Sequence, residues 1–332
     1  MLAVAASGSA VYAWRQLKTN EAFLNATLKR ATEIIDEAVV QAEKYNVPRA
    51  ATLSLLAKAE GLFDDMARYG RQTPELRYRK AWMLIQFARN YAILGDTGKQ
   101  FARASEAQRL LAGLATERPN DITYQRDLSV AYNRVGDVLK AQGKLDEALK
   151  AYRDGLAIAE RLAAADRSNT QWQRDLSISY NKVGDVLVDQ GKLDEALKVY
   201  RDGLAIRERL AAADRSNTQW QRDFQISIGR IGGLAYKFVL ARNFAIALEA
   251  ADEAIALAPE KIWLYANRAH ALMFLDRVDV ARALYLQFRG EKKVQSEKSW
   301  ETVVLEDFAE LRKVGLTHPL MDEIEGKFAA RG

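Results

Sequence analysis

WQRDLSISYNKVGDVLVDQGKLDEALKVYRDGLAIRERLAAADRSNTQ, residues Trp172 to Gln219, rewrites the 48 residues before it. Those read YQRDLSVAYNRVGDVLKAQGKLDEALKAYRDGLAIAERLAAADRSNTQ, Tyr124 to Gln171, and 40 of the 48 positions are identical. Self-similarity at a fixed period marks an array in which each unit buries its apolar face against the next. The repeat extends outward from this pair. Arg-Asp-Leu occurs at 126–128 and 174–176, and Arg222-Asp223-Phe224 follows at the same interval. Downstream, Asn243 to Pro259 and Tyr265 to Tyr285 echo the unit. Upstream, Arg77 to Asp96 reads as a diverged copy, with Gly95 placed 48 residues before Gly143.

Each unit reads as two helices. Ser168-Asn169-Thr170-Gln171 has the form of a capping box and predicts a helix running to about Asp189. Leu176, Tyr180, Val183 and Leu187 step by four and three, the spacing of one apolar helix face. Gly191 suits the left-handed position that ends a helix. Asp194 and Glu195 then fall in the first turn of a second helix, where carboxylates complement the macrodipole. That helix is expected to reach about Ala213, and Ser216-Asn217-Thr218-Gln219 opens the next unit. The pattern is an array of αα-hairpins.

These units resemble tetratricopeptide repeats. The matching residues are Tyr132, Val135, Gly136, Leu139, Gly143, Leu145, Ala148, Tyr152 and Gly155 in one central copy. In the next they are Tyr180, Val183, Gly184, Leu187, Gly191, Leu193, Ala196, Tyr200 and Gly203. A further copy carries Ile231, Leu234, Ala235, Phe238, Phe244, Ala247, Ala251, Ala254 and Pro259. The 48-residue period exceeds the family's usual 34, as in the kinesin-light-chain-like, long-unit bacterial type. Glycine also replaces the customary alanine at Gly155 and Gly203. The resemblance implies an all-α, right-handed superhelical solenoid of antiparallel helix pairs. It spans residues 76–290, with units at about 76–120, 121–169, 170–217, 218–259 and 260–290. Residues 19–75 read as an N-terminal helical pair, Glu21 to Tyr45 and Pro48 to Tyr69. Residues 291–332 read as a C-terminal cap, with helices over Ser299 to Val314 and Pro319 to Ala329.

In the family, the first helix of each unit lines a concave groove. Carried over by position, the candidate groove residues are Val130, Asn133, Arg134, Asp137, Lys140 and Ala141, then Ile178, Asn181, Lys182, Asp185, Val188 and Asp189. The eight differences between the two copies are Tyr124/Trp172, Val130/Ile178, Ala131/Ser179, Arg134/Lys182, Lys140/Val188, Ala141/Asp189, Ala151/Val199 and Ala159/Arg207. None falls on the nine nesting positions, and four of the six groove pairs differ. An edited inner face over a copied scaffold accounts for this; drift at exposed sites after duplication accounts for it equally. Asn133 and Asn181 offer a donor and an acceptor to a peptide backbone. Arg134 with Asp137, and Lys182 with Asp185, are spaced to pair at i, i+3. Trp263, Asn267, His270, Met273 and Phe274 share a face that either anchors a ligand side chain or lies beneath the cap. The carboxylate-clamp arrangement of lysines and asparagines found in some relatives is not reproduced.

Composition closes off most chemistry. The chain of 332 residues is 49% apolar, has no cysteine, two histidines and five prolines, and carries a net charge of +5. Without cysteine there are no disulfides, thiolate nucleophiles or iron–sulfur ligands. His270 and His318 lie in distant units without zinc spacing, so neither a metal site nor a nucleophile–base pair is expected. GDVLVDQGK, Gly184 to Lys192, fails as a phosphate loop: six residues separate the glycines, and Leu193 stands where a magnesium-binding hydroxyl is needed. No enzyme and no cofactor is expected. A charge of +5 spread over this length disfavours a nucleic-acid partner. The expectation is a cytoplasmic scaffold for a peptide or protein segment, with self-association through the end faces as a further option. Residues 1–18 open with an uncharged run, Leu2 to Trp14, too short for the roughly 30 Å hydrocarbon core. Residues 1–14 read as the end of a membrane helix, a peripheral anchor or an apolar first helix. The tethered reading makes the chain a sensor or assembly arm of a membrane-tethered bacterial signalling or defence system whose effector domain is absent from this chain.

Overall fold

A computed structural model describes residues 73–330 continuously and, upstream, residues 23, 26, 30, 33, 37, 41, 44, 47, 48, 50–54, 56–58, 60 and 61. The uncharged run of residues 1–14 lies outside the described residues, as does much of the expected N-terminal pair. The residues described from 23 to 44 and from 50 to 61 are helical. Among the described residues no helix is long and apolar enough to cross a membrane, and one isolated bridge, Gln295 to Lys298, is the only β pairing. The chain divides into two compact units, residues 1–166 and 167–332.

In the first unit, α1 (Pro74–Ile93), α2 (Thr97–Glu117), α3 (Ile122–Ala141) and α4 (Leu145–Ala165) pack in series as two hairpins. Thr73 caps α1 by accepting from the Leu76 amide at 3.2 Å, and Pro74 at the first helical position has no N–H to satisfy. Asp96 and Asp121 cap α2 and α3. Phe87, Tyr91, Leu111 and Leu114 fill the space between α1 and α2. Each contributes about 1.5–3 kcal/mol through the area removed from water. Buried Glu60 accepts from the Tyr91 hydroxyl at 2.9 Å and from Arg103 Nε at 2.7 Å, tying the upstream helical segment to α1 and α2.

The second unit holds α5 (Thr170–Asp189), α6 (Leu193–Ala213), α7 (Thr218–Leu240), α8 (Phe244–Leu257), α9 (Trp263–Phe274), α10 (Val278–Gln287), α11 (Trp300–Lys313) and α12 (Pro319–Ala329). The helix ends expected at Asp189 and Ala213 are where the structure places them. The caps differ by one residue from the capping-box reading. Asn169 and Asn217, not the serines before them, accept from the amides of Trp172 and Trp220, both at 3.1 Å. Asparagine caps as well as serine, and the helix starts where its oxygen meets the third amide.

Two kinds of glycine organise the hairpins. Gly95, Gly143 and Gly191 have φ of +66°, +75° and +74° and end their helices in the left-handed region. Gly136 and Gly184 instead admit a tyrosine ring from the second helix of the pair. A Cβ on Gly136 would lie 2.6 Å from Tyr152 Cε1, and one on Gly184 2.3 Å from Tyr200 Cε1. This is the close approach that lets the two helices nest.

Two of the positions that depart from that economy yield predictions. Asp276 takes φ +60° at the turn after α9, where its unit lacks a terminal glycine. Asp276→Gly is expected to raise stability by about 0.5–1 kcal/mol in urea denaturation; a loss would show that the carboxylate supports the turn. Gly229 lies inside α7 with nothing within 4 Å of an added Cβ. Gly229→Ala should therefore raise the midpoint of thermal unfolding, through a gain of up to about 1 kcal/mol.

Candidate interaction face

Helices α1, α3, α5 and α7, each the first of its hairpin, turn one stripe toward solvent. In the first unit that stripe carries Trp82 on α1, 47% exposed, and Val130, Arg134, Asp137 and Lys140 on α3. Helix α3 is held against α1 by the Tyr78 hydroxyl, which donates to Asp127 at 2.7 Å, and by the Tyr78–Tyr124 ring contact. Arg134 and Asp137 approach to 3.8 Å on the same helix, the pairing the spacing predicted. Asp137 also accepts from the Tyr152 hydroxyl at 2.6 Å, so this stripe residue is fixed by the second helix of its own pair. Asn133 is half-buried, and Ala141 is exposed at the end of α3.

In the second unit, Ile178, Lys182, Asp185 and Val188 are half-buried and Asp189 is exposed along α5. Asp185 accepts from the Tyr200 hydroxyl at 2.7 Å and, through both oxygens, from Arg230 of α7 at 2.9 and 3.1 Å. Burial and the neighbouring Asp185 carboxylate both push the Tyr200 hydroxyl up from its usual pKa, so it remains a donor. A second bridge joins the two helices, from Arg174 Nε to Asp223 at 2.6 Å.

Asn181 does not stand open on this face. It is 4% exposed and lies against Arg207 of α6. With its carboxamide oxygen facing the guanidinium, it accepts from Nη1 at 2.7 Å and Nη2 at 2.9 Å. Arg207 further donates to Ser177 Oγ at 3.1 Å, Ser227 Oγ at 3.0 Å and the Asp223 main-chain oxygen at 2.9 Å. One side chain of α6 thus ties α5 to α7. Burial drives the Arg207 pKa down to about 10, with Arg174 and Arg230 adding repulsion against the attraction of Asp223. The differences between the copies are therefore not confined to an inner face. Ala131/Ser179 and Ala159/Arg207 are buried in both copies.

Of the two readings of the patch at Trp263, Asn267 and His270, the structure shows the one beneath the cap. Asn267 is buried and donates to the Gly232 carbonyl at 2.8 Å, joining α9 to α7. His270 has no exposed surface; its ring nitrogens meet the Tyr285 hydroxyl at 2.7 Å and Asp307 of α11 at 3.1 Å. Met273 is buried as well, and Phe274 stacks on Phe244 at 4.9 Å. Trp263 stays half-buried beside Gly232. Helix α11 covers this face, with Phe308 against His270 and Glu310 accepting from the Tyr236 hydroxyl at 3.0 Å.

Two exposed residues were missed by carrying positions over from the central copies alone. Trp82 and Ile226 fall 48 residues either side of Val130 and Ile178, and Ile226 is 42% exposed. Extending the period by one step in each direction finds both. Among the described residues no group of three or more His, Asp or Glu side chains could hold a metal ion. A cavity of about 330 Å³ opens elsewhere, between α6 and α8, where Arg201 is bound to Glu249 and Glu253.

Residues 127–209 match the family model described as tetratricopeptide repeat. Among solved structures, the chain is similar to the apo form of RapI, with TM-score 0.50 and 11% identity over 90% of this chain and 96% of that one. It is similar also to aspartyl phosphate phosphatase F from Bacillus subtilis, with TM-score 0.51 and 10% identity over 93% and 73%. A third structure, BtubC from P. vanneervenii, is 18% identical over 70% and 91%, with TM-score 0.45. No curated protein matches the sequence. Likeness at these identities concerns the fold and nothing finer.

Proposed function

We propose that this chain, whose residues 127–209 match the tetratricopeptide-repeat family model, is a non-catalytic scaffold that binds a peptide or protein segment along the solvent-facing stripes of the first helices within each unit. The observation that carries the reading is a register of apolar side chains. Trp82, Val130, Ile178 and Ile226 occur at one position of the 48-residue period, and Trp82 and Ile226 remain about half exposed. Exposed apolar residues scattered singly need no explanation, but recurrence at one repeat position on a repeat's binding helix does. Around them stand Arg134, Asp137 and Lys140 in one unit and Lys182, Asp185, Val188 and Asp189 in the other, polar groups able to fix orientation. Asn133 remains a candidate for gripping a peptide backbone. Asn181, Asn267 and His270 are assigned to the scaffold.

A random peptide-display library selected on the intact chain tests this. A triple variant, Trp82→Ala/Ile178→Ala/Ile226→Ala, serves as the comparison once circular dichroism shows it folded. The expected result is a family of peptides enriched on the intact chain and lost on the variant. Recovery of the same peptides from both would place binding elsewhere on the molecule.

A further inference from the structure

Three hairpins set a tyrosine hydroxyl on the same position of their first helix. Counted from the left-handed residue that follows that helix, the position lies six residues before and the tyrosine nine residues after. Around Gly143 it is Asp137 with Tyr152, at 2.6 Å, and around Gly191 it is Asp185 with Tyr200, at 2.7 Å. Around Asp276 it is His270, whose Nδ1 meets the Tyr285 hydroxyl at 2.7 Å. The three turns also match in their main-chain bonds, with the Lys144, Lys192 and Arg277 amides donating to the Leu139, Leu187 and Leu272 carbonyls. An imidazole has taken the place of a carboxylate, and the tyrosine is kept.

The third member of the group changes with it. Asp185 is reached from the side by α7, whose Arg230 donates to both carboxylate oxygens. His270 is reached from the side by α11, and the residue delivered is Asp307, 3.1 Å from Nε2. Tyrosine, carboxylate and guanidinium have become tyrosine, imidazole and carboxylate, so the polarity of the joint is reversed. In α7 the corresponding position is Tyr236, six residues before Arg242 at φ +63°, and it too meets an acid of α11, donating to Glu310. The His270 ring is thus surrounded by Tyr236 from α7, Tyr285 from α10, and Asp307 and Phe308 from α11.

We propose that this position is a key for the order of the hairpins: its polarity decides which helix can be seated alongside. A helix bearing a cation is accepted on Asp185, and a helix bearing a carboxylate on His270. Shape alone selects poorly here, because the two central copies share all nine nesting residues. Seating α11 beside α5 would set Asp307 against Asp185. His270 has no exposed surface, so like charges brought together at its position would escape the screening that weakens repulsion in open solvent. Selection of this kind works by penalising the wrong neighbour as well as rewarding the right one. It fixes α11 and α12 as the neighbours of α9 and α10.

Amide exchange on the whole chain tests the key, read as the protection factors of α11. His270→Asp keeps an acceptor for Tyr285 but puts a carboxylate opposite Asp307, and is expected to lower α11 protection about tenfold. Adding Asp307→Arg gives this joint the polarity of Asp185 with Arg230, and should return protection to within about threefold of the intact chain. His270→Gln, which is neutral and offers both a donor and an acceptor, should cost less than about threefold. Helices α1 to α4 serve as the internal reference and should keep their protection in every variant. Unchanged protection in His270→Asp would overturn the key, as would a double variant no better protected than His270→Asp alone. A loss in His270→Gln as large as that in His270→Asp would also overturn it, by showing that the joint needs the ring and not its polarity.

Discussion

Replacing Trp300 with alanine is expected to lower the stability of the second unit by about 3–5 kcal/mol, the range for truncating a fully buried large aromatic. Among the described residues, Trp300 is the largest side chain with no exposed surface. Its indole N–H donates to the Tyr285 carbonyl at 2.7 Å, and its ring lies 5.2 Å from that of Phe288. It is also the first residue of α11, so its loss loosens the end of the helix that carries Asp307 and Phe308 to His270. In a repeat array each element depends chiefly on its neighbours, so the damage should be local. Amide exchange is expected to accelerate first in α9 to α12, leaving α1 to α4 protected. Uniform acceleration across the chain, or a loss below about 1 kcal/mol, would mean that the cap is not held through Trp300.

The same helix explains why the sequence left the patch on α9 open between a ligand face and a covered one. Spacing places Asn267 and His270 on the stripe of α9 that corresponds to the open stripes of earlier hairpins. Whether a stripe is open depends on what arrives next, and the helix that closes this one begins 30 residues after His270. No periodicity within α9 encodes that. Asn181 was obscured for a related reason. Its position matches Asn133, but its environment is set by residue 207 on another helix, and an alanine-to-arginine difference reads as a surface change until the guanidinium is seen inside. Local features were legible because their causes are local. Gly191 ends its helix as expected, and Asp194 and Glu195 lie in the first turn of α6. The cap at Asn169 was misplaced by one residue because Ser168 and Asn169 are both competent acceptors, and only the backbone geometry chooses between them.

Gly184→Ala should cost about 1–3 kcal/mol, although alanine is the better helix former by about 1 kcal/mol. The added methyl would lie 2.3 Å from Tyr200 Cε1 and 2.6 Å from its Cδ1, closer than packed carbons come. The ring cannot yield freely. Tyr200 is buried, and its hydroxyl is held by Asp185, itself clamped by Arg230 of the next hairpin. The backbone of α5 must therefore move away from α6, or the ring must leave its rotamer and give up the bond to Asp185. Either response disturbs the seam between α5 and α7, so the substitution reaches the proposed interaction face through packing alone. A second background separates this account from a general dislike of alanine at the site. In Tyr200→Ala protein the obstruction is gone, and Gly184→Ala should then stabilise by up to about 1 kcal/mol through helix propensity. The effect of one methyl group should change sign between the two backgrounds in urea denaturation. If it destabilises both equally, the glycine is required by something other than the tyrosine ring, and the nesting explanation for the repeated Gly-Tyr pairs fails.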